Sequence, residues 1–415
     1  MSFPTVPLKS VALVNPETLG EDTSPSRTYS YAEISDVTLG ESIRWQEPTA
    51  FASLPSRARR VVRDDDVVVS TVRTYLRAVA RVVRAPKPAL VSTGFAVFRP
   101  IRVEPRFLGY SLQATHFVDA VVADSVGVSY PAVNASDVAR LHVSAPPLET
   151  QRQIADYLDH ETAEIDAFVS DQKRLAVLVD ERLAARNESV FESATSSTPL
   201  RRLIGNMVAG TSVNATDTIR TGSEPAVLKT SAVYGGIFDP HALKVVWEEE
   251  IARLTTLARP GHLVVSRMNT AQLVGDAAIV PSGLSNVYLP DRLWQVEPRV
   301  DARFLYAWTR TRRYREQVAA LAVGASPSMK TLAREDFLSL RVPTLPAEQQ
   351  VSAGVAYVKD LAKRRAIATD IETALTLAKE RRAALITAAV IGQIDVRARR
   401  QPVIDSIQRS LVEAR

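Results

Sequence analysis

The chain repeats itself once at long range, and this constrains its fold more than any single motif does. The period is close to 199 residues, so two periods nearly fill the 415-residue chain. The stretch DVARLHVSAPPLETQ (137–151) answers DFLSLRVPTLPAEQQ (336–350), pairing Asp137 with Asp336, Leu141 with Leu340, Pro147 with Pro346, Glu149 with Glu348 and Gln151 with Gln350. RFLGY (106–110) answers RFLYA (303–307), and Gly127 answers Gly324. Upstream, VVVSTVR (67–73) answers LVVSRMN (263–269), and VPLKSV (6–11) answers TPLRRL (198–203). One such match is weak, but five in the same order point to a duplicated unit.

Within each period the composition changes once. Residues 1–146 and 196–344 hold short β-rich runs, such as VVVSTVR, ALVSTGFAVF, GHLVVSRM and RLWQVEP, separated by Pro, Gly, Ser and Asn. Each also holds one expected helix, PRFLGYSLQATHFVDAVV and ARFLYAWTRTRRYREQVAAL. The expected class is α+β for each half. Residues 149–194 contain neither Gly nor Pro, and their apolar positions step by three and four: Ile154, Leu158, Ile165, Phe168, Leu175 and Val179. The second copy repeats the stripe with Ile367, Ile371, Ala374, Ala378, Leu385 and Ala388. Such a pattern over several heptads predicts a coiled-coil seam, and two matched helices in one chain are expected to pack on each other antiparallel. The expected division is a domain at 1–146, a helical spacer at 147–195, a second domain at 196–344, a second spacer at 345–396 and a tail at 397–415.

Composition narrows the function. No cysteine is present, so disulfides and thiolate metal sites are excluded. No secretion signal or apolar run of spanning length is visible, so a soluble, cytoplasmic protein is expected. The net charge is +5, and nine lysines leave 42 arginines among the 51 basic residues. Arginine forks suit phosphates and guanine edges. Neither a G-x-x-x-x-G-K-[ST] loop nor G-x-G-x-x-G occurs, and no Asn/Asp-Pro-Pro-Tyr/Phe stretch. The histidines His116, His142, His160, His241 and His262 lack metal-ligand spacing. From the residues alone three readings stand: a two-site reader of DNA, a nuclease or methyltransferase of unfamiliar type, and a coiled-coil adaptor for proteins.

The helical segments then carry a likeness. APPLETQRQIADYLDHETAEIDAFVSDQKRLAVLVDERLAA (145–185) closely resembles the central helical region of type I restriction–modification specificity subunits. KERRAALITAAVIGQIDV (379–396) resembles the end of their distal helical region. The second copy departs from the pattern, since VPTLPAEQQVSAGVAYV lacks the Pro-Pro run and the Arg after Gln. The resemblance implies two target recognition domains, each reading one part of a split site on double-stranded DNA. It implies that the helices space them and dock DNA methyltransferase subunits, with restriction–translocase subunits joining that core. It also implies a non-catalytic chain that holds no cofactor, S-adenosylmethionine, ATP and magnesium belonging to the partners.

Base-reading residues are expected on loops that follow a repeated strand, because loops on a rigid scaffold carry recognition. In the first half these are Ser70, Thr71, Arg73, Thr74, Tyr75 and Arg77; in the second, Ser266, Arg267, Asn269, Thr270 and Gln272. Arginine can grip guanine, and asparagine or glutamine adenine. A second pair of loops follows the repeated glycines, with Ser129 and Tyr130 in one half and Ser326, Ser328 and Lys330 in the other. RARR (57–60) and Lys229-Thr230 are weaker candidates, for phosphate contacts.

Overall fold

A computed structural model describes residues 3–326 and 329–396; Ser328 and the tail at 397–415 lie outside them. The chain divides into two compact units, Met1–Gln172 with Thr373–Arg415, and Lys173–Glu372. The helices are α1 (Pro105–Gln113), α2 (Thr115–Ala123), α3 (Ala135–Val138), α4 (Leu148–Glu192), α5 (Ala302–Thr309), α6 (Arg312–Leu321), α7 (Arg334–Ser339) and α8 (Ala347–Val390). The fold is mixed α and β. None of the helices in the described residues is long and apolar enough to cross a membrane.

In the first unit an antiparallel sheet runs in the order Ala12–Val14, Phe95–Pro100, Val67–Ser70, Val79–Arg81. VVVS runs three valines in succession because its strand is covered on both faces. Val67 and Val69 join a core with Phe98, Leu108 and Leu112, while Val68 joins a different core with Ala80 and Val97. The second unit follows the same order with Ile204–Ala209, Leu293–Pro298, Leu263–Ser266 and Ala277–Ile279. Leu263 and Val265 face one core with Trp294 and Phe304, and Val264 faces another with Ala278 and Leu293.

The second sheets agree less. Both contain a parallel pair, Thr28–Ala32 with Ala89–Ser92 and Ala226–Leu228 with Val287–Tyr288. The first member of each pair has an antiparallel neighbour, Thr49–Ala50 or Leu243–Val246; beyond the second member the halves differ, with the strand Ala58–Val62 against Ala89–Ser92 but a single bridge from Leu257 to Tyr288. Each half is closed by a two-stranded clasp, Thr5–Pro7 with His142–Ser144 and Ser197–Pro199 with Arg341–Pro343.

The one helix expected in each half is two. In the second half Thr311 is extended and its hydroxyl accepts from the Tyr314 amide at 3.2 Å, which caps a new helix. In the first half Ala114 is extended between α1 and α2, and the freed Thr115 amide donates to Thr387 Oγ1 at 3.0 Å.

Both long helices are continuous, and each contributes to both units. Inside the first unit Ile154, Ala155 and Leu158 of α4 bury with Ile386, Ala389 and Val390 of α8 and with Phe107 of α1. Inside the second, Arg186 pairs with Asp360 and Arg364 with Asp180, the latter through Nε and Nη2 to the two carboxylate oxygens at 2.5 and 2.9 Å. Gly354 sits where a Cβ would meet the Phe304 amide at 2.6 Å, so its lack of a side chain lets α8 approach α5. Of the expected stripe, Ile154, Leu158, Ile165, Ile371 and Ala378 are buried, whereas Phe168, Leu175 and Ile367 remain exposed.

Candidate nucleic-acid interface

In the first half the loop after Ser70 and the loop of the repeated glycine meet. After Ser70 the chain turns through Arg73, a 3-10 turn at Thr74–Leu76, and Arg77. The backbone fastens this loop to the one after Ser125: the Arg73 amide donates to Pro131 O at 2.8 Å, and Val72 bridges Ala132. Arg73 and Arg77 are both left-handed, at φ 51° and 52°. Non-glycine residues rarely adopt this region, and it costs on the order of 1–3 kcal/mol each when imposed. Two such arginines flanking one turn mark a loop held in shape by its surroundings. Thr74 Oγ1 and Ser125 Oγ lie 2.7 Å apart, and Arg77 pairs with Asp119 of α2 at 2.7 Å.

Ser70, Thr71 and Thr74 are buried, and their hydroxyls are used inside the protein. Ser70 Oγ donates to Val72 O at 2.6 Å and Thr71 Oγ1 to Gly94 O at 3.0 Å. They shape the loop rather than face solvent. Arg73, Tyr75, Arg77, Ser129 and Tyr130 are exposed. The Arg73 guanidinium lies 5.1 Å from the Tyr130 ring centroid, a cation–π distance.

The second half repeats the frame with other fastenings. Met268–Asn269 pairs with Met329–Thr331, and that strand pairs back with Val323–Ser326. Ser266 is fully buried and receives a hydrogen bond from Asn269 Nδ2 at 3.2 Å. The same amide donates to Tyr234 Oη at 3.0 Å, while Asn269 Oδ1 accepts from the Thr270 amide at 2.9 Å. Asn269 is therefore a lock on the loop. Arg315 of α6 donates to the carbonyls of Val274, Gln272 and, at 3.3 Å, Ala271. Gln272 is exposed, and Arg267, Thr270 and Lys330 are half-buried. Arg267 lies 5.8 Å from the Trp294 ring, and Lys330 Nζ donates to Gly324 O at 2.8 Å. Ser326 lies at the end of its strand, paired with Met329.

Sequence reasoning missed Tyr234 and Asp276. Asp276 is buried, accepts from the Gly235 amide at 3.0 Å and pairs with Arg310 at 3.2 Å. It ties the Tyr234 turn to α5, and only the acidic residue at the end of the loop could have signalled it. Three of the weaker candidates, Arg59, Arg60 and Lys229, are engaged elsewhere. Arg59 donates to Ser56 O and Gly20 O, Arg60 to Thr18 Oγ1, and Lys229 pairs with Asp217.

Comparison with known proteins bears on the fold. Residues 60–171, which include the whole first loop, match the family described as Type I restriction modification DNA specificity domain. A chain solved in a study of complex assembly and conformational transition of the type I R-M system superposes with a TM-score of 0.73 at 20% identity, covering 95% of this chain and 98% of that one. The HsdS subunit from Thermoanaerobacter tengcongensis superposes at 0.51 and 21% identity, covering 95% and 97%. No curated protein sequence matches the chain. The likeness first carried by the helical motifs thus holds at a second level: residues 60–171 match the family model of the type I restriction modification DNA specificity domain, and the chain has the fold of an HsdS subunit.

Proposed function

We propose that this chain reads a two-part DNA site for a type I restriction–modification enzyme and performs no catalysis itself. One observation carries the reading. In each half a fastened loop leaves the end of a matching central strand, Ser70 or Ser266, and lies beside the loop of a repeated glycine. Two such loop pairs on one chain suit two short DNA segments better than one continuous site. Exposed arginine, glutamine and tyrosine on those loops suit base edges and phosphates. Methylation with S-adenosylmethionine, and cleavage with ATP and magnesium, belong to the methyltransferase and restriction subunits in this reading.

The helices act as an antiparallel coiled-coil spacer and as the dock for methyltransferase subunits. Within the second unit, positions that rise along α4 meet positions that fall along α8: Asp180 with Arg364, then Arg186 with Asp360. The exposed Phe168, Leu175 and Ile367 leave apolar surface for a partner.

The test is co-expression with the methyltransferase partner, followed by mapping of methylated bases. The chain alone neither methylates nor cuts, whereas the complex methylates a split site. Replacing residues 196–344 with the matching segment of a relative changes one part of that site and leaves the other. Activity of the isolated chain, or a swap that alters both parts in a folded protein, overturns the reading.

A further inference from the structure

The surface of the first half's loops is unusual in its chemistry. Tyr75, Leu76, Val126, Val128 and Tyr130 are all exposed, Val128 completely and Val126 at 81%. Single exposed apolar residues need no explanation, but five on two adjoining loops do. The loop hydroxyls of Ser70, Thr71 and Thr74 are turned inward, and Arg77 is held by Asp119. Arg73 has no ion pair among the described residues and lies over Tyr130. The polar groups left facing outward at this tip are few, Arg73 and Ser129 chief among them.

We propose, on the basis of the DNA-reading role above, that the first half recognises thymine by its C5-methyl group, through Val128 and Tyr130 with Arg73 beside them. The methyl of thymine is the one apolar feature that base pairs display in the major groove. Gly127, at φ +121°, makes the turn that carries Val128 outward, and a Cβ there would meet Tyr130 O at 3.2 Å. Stacking on Tyr130 orients the Arg73 fork beside the apolar surface, where a neighbouring phosphate or guanine can pair with it. The alternative occupant of such a patch is a protein, the methyltransferase subunit.

The test uses the full chain in complex with its methyltransferase partner, on duplexes carrying the mapped target. Thymines are replaced by uracil, which lacks only the methyl, in one half-site at a time. The half-site read by residues 1–146 is identified by exchanging that segment. Uracil in that half-site should weaken binding about fourfold for each methyl that is contacted. Val128→Ser should remove the distinction between the thymine and uracil duplexes there, Val128→Ile should keep it, and neither should change the response to uracil in the other half-site. Equal binding of both duplexes by the parent complex overturns the proposal, as does a first half-site without an A·T pair. A Val128→Ser chain that loses its methyltransferase subunit while keeping thymine discrimination assigns the patch to protein docking instead. Absence of any sequence-selective binding overturns the DNA-reading role and this inference with it.

Discussion

The loop after Ser70 and the loop after Ser266 leave equivalent strands and are fastened by different chemistry. The first is fixed by buried hydroxyls and holds two arginines in left-handed conformation. The second is fixed by one carboxamide, Asn269, and by the Arg315 guanidinium over its carbonyls. What they share is backbone: Val72 bridges Ala132 as Met268 pairs with Thr331. The comparison teaches that the frame is set by main-chain pairing while the outward chemistry is free to vary. The first tip is apolar around one arginine, and the second offers Gln272 and half-buried basic side chains. A new readout then requires new side chains and no new frame.

Three measurements break or sharpen this contrast. The largest effect is expected from Arg73→Ala set against Asn269→Ala. Loss of a base-reading arginine costs about 1–3 kcal/mol and relaxes one position. Loss of the Asn269 lock leaves buried partners unsatisfied, at about 1–3 kcal/mol, and loosens the whole second half-site. Competition binding over a panel of single-base variants separates them. If Arg73→Ala weakens every sequence equally, that side chain contacts phosphate only.

The repeated glycines give a smaller and graded effect. An alanine Cβ at position 324 would lie 2.3 Å from Met329 O, but at position 127 it would lie 3.2 Å from Tyr130 O. Gly324→Ala should therefore cost on the order of 1–3 kcal/mol and Gly127→Ala distinctly less, read from denaturant unfolding. Equal losses would show that the positive φ shared by both glycines, and not the closeness of the carbonyl, sets the cost.

The smallest effect concerns the helix caps. Glu104 accepts from the Phe107 amide at 2.6 Å, and Asp301 from the Arg303 amide at 2.8 Å. Replacing either by alanine should cost about 1 kcal/mol. The Arg303 guanidinium beside Asp301 holds its carboxyl below the usual carboxylate range. A lowered folded value means stabilisation that is present above the unfolded pKa, about 4, and is lost as pH falls through the folded one. The stability gap between parent and Asp301→Ala should therefore close on acidification below about pH 4. A gap that persists there would assign the Asp301 effect to packing.

The long helices were legible because α4 has no Gly or Pro and both stripes keep helical steps; α8 absorbs Gly354 because the Phe304 backbone presses on it. The central strands were legible as VVVS and LVVS, since a strand covered on both faces is apolar at every position. The inward turn of Ser70, Thr74 and Ser266 was not, because local sequence does not say whether a hydroxyl meets solvent or a carbonyl. The breaks at Ala114 and Thr311 were hidden too. One depends on Thr387, hundreds of residues away, and the other on a threonine cap inside an otherwise helical run. Tyr234 reaches Asn269 from a separate turn, a contact that periodicity does not record.

The clasps have a mechanical consequence. In the second half the chain comes in at Ser197, which faces Pro343, where it leaves; Thr198 and Pro199 face Val342 and Arg341. Tension applied through the end of α4 and the start of α8 therefore arrives at the outermost pair and peels the clasp one pair at a time. The strands Leu263–Ser266 and Leu293–Pro298 lie off that line of load. The clasp behaves as a fuse: a pulled half yields first at its neck, and the sheet that aims its loops keeps its shape until the neck has opened.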